Sequence, residues 1–168
     1  MTFAALADGS ALFIDSNIFV YHFVAASPQC TELLARCANK ELTGSTSVLV
    51  LAEVCHRMMM TEAVERKLVS PGNVPRKLAS RPDLVRQLNH EAAVEAIPRM
   101  AIEVMPLTDS TMKQGLRLQR RYGLLTNDSL IVATMLDSGL RILATADRRL
   151  AGVSEIEIVV PTDLNIAS

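Results

Sequence analysis

Short apolar runs alternate with longer amphipathic stretches along this chain, and the alternation itself predicts the elements. Ala11-Leu12-Phe13-Ile14 reads as a buried strand that stops at Asp15-Ser16-Asn17, with an apolar segment over 18–24 behind it. Pro28 suits a first helical turn and opens a helix over about 28–40 that turns Leu33, Leu34 and Cys37 inward. A second strand over about 42–46 leads through Ser47 into a helix over 48–60. Residues 61–99 differ: they are polar, charged and punctuated by Pro71-Gly72, Pro75, Pro82 and Pro98, which predicts short helices inserted on the main layer. Strand–helix alternation then resumes, with a strand over 101–105 and a helix over 108–122. Thr108 or Asp109 caps that helix and Gly123 closes it. Residues 126–138 form a helix apolar almost all round, stopped by Gly139, before the last strands over 141–145 and 156–160.

Strands this short and apolar, alternating with helices, belong to the α/β class, with a central, mainly parallel sheet covered on both faces. The expected architecture is a three-layer α/β/α domain spanning residues 1–168. Its core covers about 11–160, with a leader over 1–10 and a helical insert at about 61–99. Sheets of this kind place their sites at the carboxyl ends of the strands.

Composition narrows the function classes. A chain 49% hydrophobic and 21% charged is not wholly disordered. With 17 basic residues against 18 acids, it is neither a basic nucleic-acid-coating protein nor a polyacidic tail. Aromatics at 4%, with no Trp, argue against a base-stacking platform. Three cysteines are an odd number and too few for a disulfide framework, so they read as buried small hydrophobes in a reducing compartment. No apolar run approaches the roughly 20 residues a bilayer requires. The expectation is a cytoplasmic protein with no membrane partner.

Four acids interrupt the apolar scaffold at element boundaries: Asp15, Glu53, Asp128 and Asp147. Asp15 and Asp147 end strands, Glu53 lies on the first turns of a helix leaving a strand, and Asp128 opens the most apolar helix. If they share one edge of the sheet, like charges about 4 Å apart repel by roughly 4 kcal/mol per pair at an effective dielectric near 20. Protonation or a divalent cation would relieve that repulsion. Oxygen donors without His or Cys suit Mg2+ or Mn2+. Simpler roles stay open: helix capping for Asp15, Asp128 and Asp147, and for Glu53 an ion pair with Arg57, four residues on.

The segments Phe13-Ile14-Asp15-Ser16-Asn17, Ser47 to Val54, Thr126 to Met135 and Leu143-Ala144-Thr145-Ala146-Asp147, in that order, resemble the PIN-domain ribonucleases. Among these the chain is most similar to the VapC-like toxins of type II toxin–antitoxin pairs. Tyr122-Gly123 before the third segment fits too, and the resemblance covers about residues 11–160. It implies an endoribonuclease in which Asp15, Glu53, Asp128 and Asp147 hold one or two Mg2+ or Mn2+ ions and carry out phosphodiester hydrolysis. Asn17 and Thr145 match polar positions that hydrogen-bond those acids. The resemblance also implies a cognate antitoxin protein and a homodimer. The leader and the long 61–99 insert depart from the compact family pattern.

Candidate RNA contacts are basic. Lys113, Arg117, Arg120 and Arg121 share one helical face, a solvated surface, a phosphate contact or a site for an acidic antitoxin segment, while Arg148 and Arg149 directly follow Asp147. Arg76, Lys77, Arg81 and Arg86 could cover a groove from the insert. Other chemistries lack their residues. His22, His56 and His90 are scattered, no Ser–His–Asp arrangement occurs, and no GxxxxGK[ST] or GxGxxG loop is present. An aspartyl phosphotransferase wants a second Asp two residues after the first, and position 17 is Asn. The competing function is a PIN-like scaffold that binds a partner without catalysis.

Overall fold

In a computed structural model that describes residues 1–164, five strands form one sheet in which every neighbouring pair is parallel. They are β1 (Ala11–Ile14), β2 (Thr43–Ser47), β3 (Glu103–Met105), β4 (Ile142–Ala144) and β5 (Glu157–Val159), in the order β3-β2-β1-β4-β5. Leu12 aligns with Gly44 on one side and Ile142 on the other. The chain thus builds outward from β1 through β2 to β3, then returns to add β4 and β5 on the opposite side. Its direction reverses beside β1, so a topological switch point opens between the carboxyl ends of β1 and β4.

Helices cover both faces in an α/β/α arrangement, as parallel crossovers require. They are α1 (Ser16–Phe23), α2 (Pro28–Ala38), α3 (Val48–Glu65), α4 (Val74–Ala79), α5 (Pro82–Val85), α6 (Glu91–Arg99), α7 (Asp109–Tyr122) and α8 (Thr126–Asp137). Caps explain most of their ends. Ser27, Ser47 and Thr108 accept from the backbone N–H three residues on, satisfying a donor that has no partner in the first turn. Gly123 and Gly139 take up φ of +69° and +73° directly after α7 and near the end of α8, a conformation that favours glycine. Gly44 answers a different need. A Cβ there would meet Cys37 Sγ at 2.9 Å, so β2 can lie under α2 only without a side chain at this position.

The main core is built from Leu12, Phe13 and Ile14 of β1, Val132, Ala133 and Met135 of α8, and Leu143 and Ala144 of β4, all shut from solvent. Cys30 and Cys37 lie in it, and burial pushes both thiols up to about 11, which makes them unreactive. Two expectations change. The leader belongs to the core, because Phe3 and Leu6 pack into it and Thr2 bridges to Val160 beyond β5. Helix α3 also runs past Met60 to Glu65 before the polar stretch begins. That stretch is in two parts. Helices α4 and α5 close over a small separate cluster of Ala63, Val74, Leu78, Leu84 and Leu88, while α6 returns Ile97 to the main core. Among the described residues no helix is long and apolar enough to cross a membrane.

Candidate functional site

The switch point between β1 and β4 is where the polar side chains gather. The Asp15 N–H continues the ladder by donating to the Ala144 carbonyl at 3.0 Å, which sets Asp15 beside Thr145. Asp15 is the N-cap of α1, and its Oδ1 accepts from the Ser16 N–H at 2.6 Å. Its Oδ2 accepts from Asn17 Nδ2 at 2.6 Å and from the Thr145 hydroxyl at 2.7 Å. Thr145 Oγ1 in turn accepts from Asn17 Nδ2 and from the Asp147 N–H, both at 3.0 Å. Asn17 Oδ1 closes the ring by accepting from the Ala146 N–H at 2.8 Å. One fully buried hydroxyl therefore joins the ends of two strands and orients a buried carboxylate.

The charges are coupled. Burial raises the Asp15 pKa above the ordinary carboxylate value, and the nearby Glu53 adds to the rise against the lowering effect of the Thr145 and Ser16 hydrogen bonds. Burial likewise raises Asp128, with Asp147 and Glu53 contributing and Arg149 opposing. Asp15 thus feels Glu53, and Asp128 feels Asp147 and Glu53. Asp15, Glu53 and Asp128 form no ion pair among the described residues. The pair between Glu53 and Arg57 that helical spacing allows is not made.

Asp147 differs. Its carboxylate accepts from Arg149 Nε at 2.8 and 3.0 Å and from Arg149 Nη2, and this pairing holds its pKa below the usual range. It also caps the 3-10 turn Arg148–Gly152 by accepting from the Arg149 N–H. Capping therefore does occur at Asp15 and Asp147. Asp128 is inside α8, whose N-cap is Leu125.

The donor chemistry fits a hard divalent cation. All four candidate side chains are carboxylates, and the one deepest in the protein carries a raised pKa and has no basic partner among the described residues. The acids do not converge into a cage, since among the described residues no group of three His, Cys, Asp or Glu side chains is drawn together closely enough to hold an ion. Mutual repulsion gives a physical reason for that spacing, and Arg149 is the positive charge already present.

The basic residues divide by partner. Lys113 pairs with Asp109 at 2.5 Å, and Arg121 pairs with Glu155 at 2.7 Å while its guanidinium lies 4.9 Å from the centre of the Tyr122 ring. Arg121 and Arg149 thus hold ion pairs within the chain while staying exposed. Arg117, Arg120 and Arg148 are exposed and form no ion pair among the described residues. In the insert, Lys77 is spent on Ser70 and Pro71, and Arg81 on Asp83. Sequence reasoning passed over Tyr21 and Arg57 as cleft residues. They line a cleft of about 830 Å³ with Asn17, Asp147, Arg148 and Arg149. The signal was the spacing, since Tyr21 and Arg57 follow Asn17 and Glu53 by one helical turn each.

The sequence between β1 and the start of β5 matches the model of the PIN domain family over residues 12–156. The chain belongs to the PIN-domain family. Ribonuclease VapC2 of Methanocaldococcus jannaschii is 22% identical over 148 residues, 88% of this chain and 92% of that protein. Among solved structures, VapBC2 from Rickettsia felis bound to a DNA fragment from their promoter matches this PIN domain with a TM-score of 0.60. The match has 14% identity and covers 90% of this chain and 98% of that one. A toxin–antitoxin complex from Klebsiella pneumoniae gives a TM-score of 0.58 at 17% identity, covering 94% of this chain and 100% of that one. Mycobacterium tuberculosis VapC20, a sarcin-ricin loop cleaving toxin, gives 0.57 at 17% identity, covering 87% and 97%. These structural likenesses speak to the fold.

Proposed function

We propose that this PIN-domain protein is an endoribonuclease, dependent on Mg2+ or Mn2+, that acts as the toxin of a toxin–antitoxin pair. The observation that carries the reading is the buried, raised-pKa Asp15. It is fixed at the switch point by Thr145 and Asn17, electrostatically coupled to Glu53, and has no basic partner among the described residues. An arrangement that stores negative charge in this way is costly to a fold unless a cation or a proton compensates it. Family membership and the likeness to Ribonuclease VapC2 support a nuclease.

Under this reading Asp15, Glu53, Asp128 and Asp147 would hold one or two ions. A divalent cation bound there supplies Lewis acidity at the scissile phosphate and a lowered pKa for attacking water. The chain's own residues do the positioning. Thr145 and Asn17 direct protons at Asp15 Oδ2, which fixes the carboxylate plane and keeps the second oxygen on the Ser16 N–H. Asp147 can contribute only once Arg149 lets go, and the freed guanidinium is then available for a phosphate oxygen. Arg148, with Arg117 and Arg120 farther along the surface, would contact RNA backbone. The antitoxin partner is supported by the toxin–antitoxin complexes among the structural relatives, and a homodimer and a cytoplasmic location complete the proposal.

Incubation of the purified protein with RNA tests the reading. Cleavage should require Mg2+ or Mn2+, stop when EDTA removes the ion, and resume on its return. Cleavage indifferent to EDTA would exclude the metal role. Absence of cleavage together with intact partner binding would favour a non-catalytic scaffold.

A further inference from the structure

The cleft beside the candidate acids holds three guanidinium groups, and they are not equivalent. Arg149 is committed to Asp147, whereas Arg57 and Arg148 form no ion pair among the described residues. Arg57 is half-buried on α3, one helical turn beyond Glu53, so its side chain projects along the face that carries the acid. Holding such a cation partly out of water without an acid partner costs energy, and an anionic ligand would recover it. Helix α1 adds a polar ring, because Tyr21 stands one turn beyond Asn17 and lines the same space. The cleft therefore brings the Asp147 carboxylate and the guanidinium groups of Arg57 and Arg148 into one lining.

We infer that Arg57 and Arg148 clamp the sugar–phosphate backbone of a single-stranded RNA segment as it passes the candidate acids, with Arg57 as a substrate-binding residue. The inference rests on the nuclease reading and deepens it. A planar guanidinium can engage two oxygens of one phosphate, which a point charge cannot do with the same geometry. Contact with backbone rather than base edges predicts binding that is insensitive to RNA sequence.

The test measures binding of a fluorescent single-stranded RNA oligonucleotide as salt is varied, in Mg2+. Asp15→Asn serves as the background, so that cleavage does not interfere. Arg57→Gln should weaken binding several-fold for unrelated RNA sequences alike. The slope of log K against log salt should fall by about 0.7, the increment for one phosphate contact on a single strand. Arg57→Lys should restore the slope and only part of the affinity. Mn2+ affinity of Arg57→Gln on the otherwise unsubstituted chain, measured by calorimetry, should not fall. An unchanged slope would overturn the inference, and so would loss of Mn2+ binding, which would mean that Arg57 supports the acids instead. Failure of the parent reading is separately visible: the unsubstituted protein would then neither bind nor cut RNA in Mn2+.

Discussion

The hydroxyl of Thr145, at the end of β4, donates to Asp15 Oδ2, at the end of β1, across 2.7 Å of interior from which Thr145 is wholly shut off from solvent. This bond crosses the switch point, and three polar groups depend on it at once: the Asp15 carboxylate, the Asn17 amide and the Asp147 N–H.

Thr145→Val keeps the shape of the side chain and removes the hub. A buried group left without its partner costs about 1–3 kcal/mol, so the urea midpoint should fall accordingly. Asp15 should also lose a lowering influence and hold its proton to still higher pH, weakening Mn2+ binding measured by calorimetry. A variant with unchanged stability and unchanged Mn2+ affinity would show that the hydroxyl does not organise the site.

The raised acids set a pH dependence whose sign can be worked out. Asp15 and Asp128 hold protons more tightly in the folded chain than in the unfolded one, so their ionisation on folding is unfavourable. As pH falls through their folded pKa values that penalty disappears, and stability rises. Asp147, lowered by Arg149, acts in the opposite direction, and its contribution is lost only below the ordinary carboxylate range. Without divalent ions, the melting temperature should therefore increase as pH is lowered toward the ordinary carboxylate range and fall in stronger acid. At neutral pH, Mn2+ at a hundredfold excess over its Kd should raise it by about 5–10 °C. That gain should shrink on acidification, because protons and cation compete for the same carboxylates. A Mn2+ effect independent of pH would place the ion elsewhere.

Pro161, Thr162 and Leu164 also line the cleft. Asp163 accepts from the Ser27 hydroxyl at 2.8 and 2.9 Å and from the Gln29 N–H at 2.9 Å, clasping Pro161, Thr162 and Leu164 against the start of α2. Asp163→Ala should cost about 1 kcal/mol, as loss of a helix-capping group does. It should also raise KM for RNA with kcat little changed, read from initial cleavage rates. A fall in kcat alone would mean that the segment acts on the acids and not on the substrate.

Much of this was legible in the sequence because burial and chain direction leave simple marks. Leu12-Phe13-Ile14 reads as an interior strand, and the polar Asp15-Ser16-Asn17 behind it marks where that strand meets an edge. Asn17 and Thr145 were readable by their place in the motifs, and both do hydrogen-bond Asp15. What was not legible depends on side-chain choice between near-equal partners. Arg57 could reach Glu53 or the cleft, and Arg149 could reach solvent or Asp147; spacing permits either, and only packing decides. The leader's burial was hidden because Phe3 and Leu6 are single apolar residues without periodicity.

The central claim is that Asp15 and its neighbouring acids carry metal-dependent RNA cleavage, and one comparison tests it directly. RNA cleavage in Mn2+ is measured for the unsubstituted protein beside Asp15→Asn and Asp128→Asn, each checked for cooperative unfolding. The account predicts cleavage by the first and a loss of at least about 100-fold in both variants, the scale on which removing a charged catalytic group acts. Metal-dependent cleavage that persists in folded Asp15→Asn and Asp128→Asn protein would contradict it.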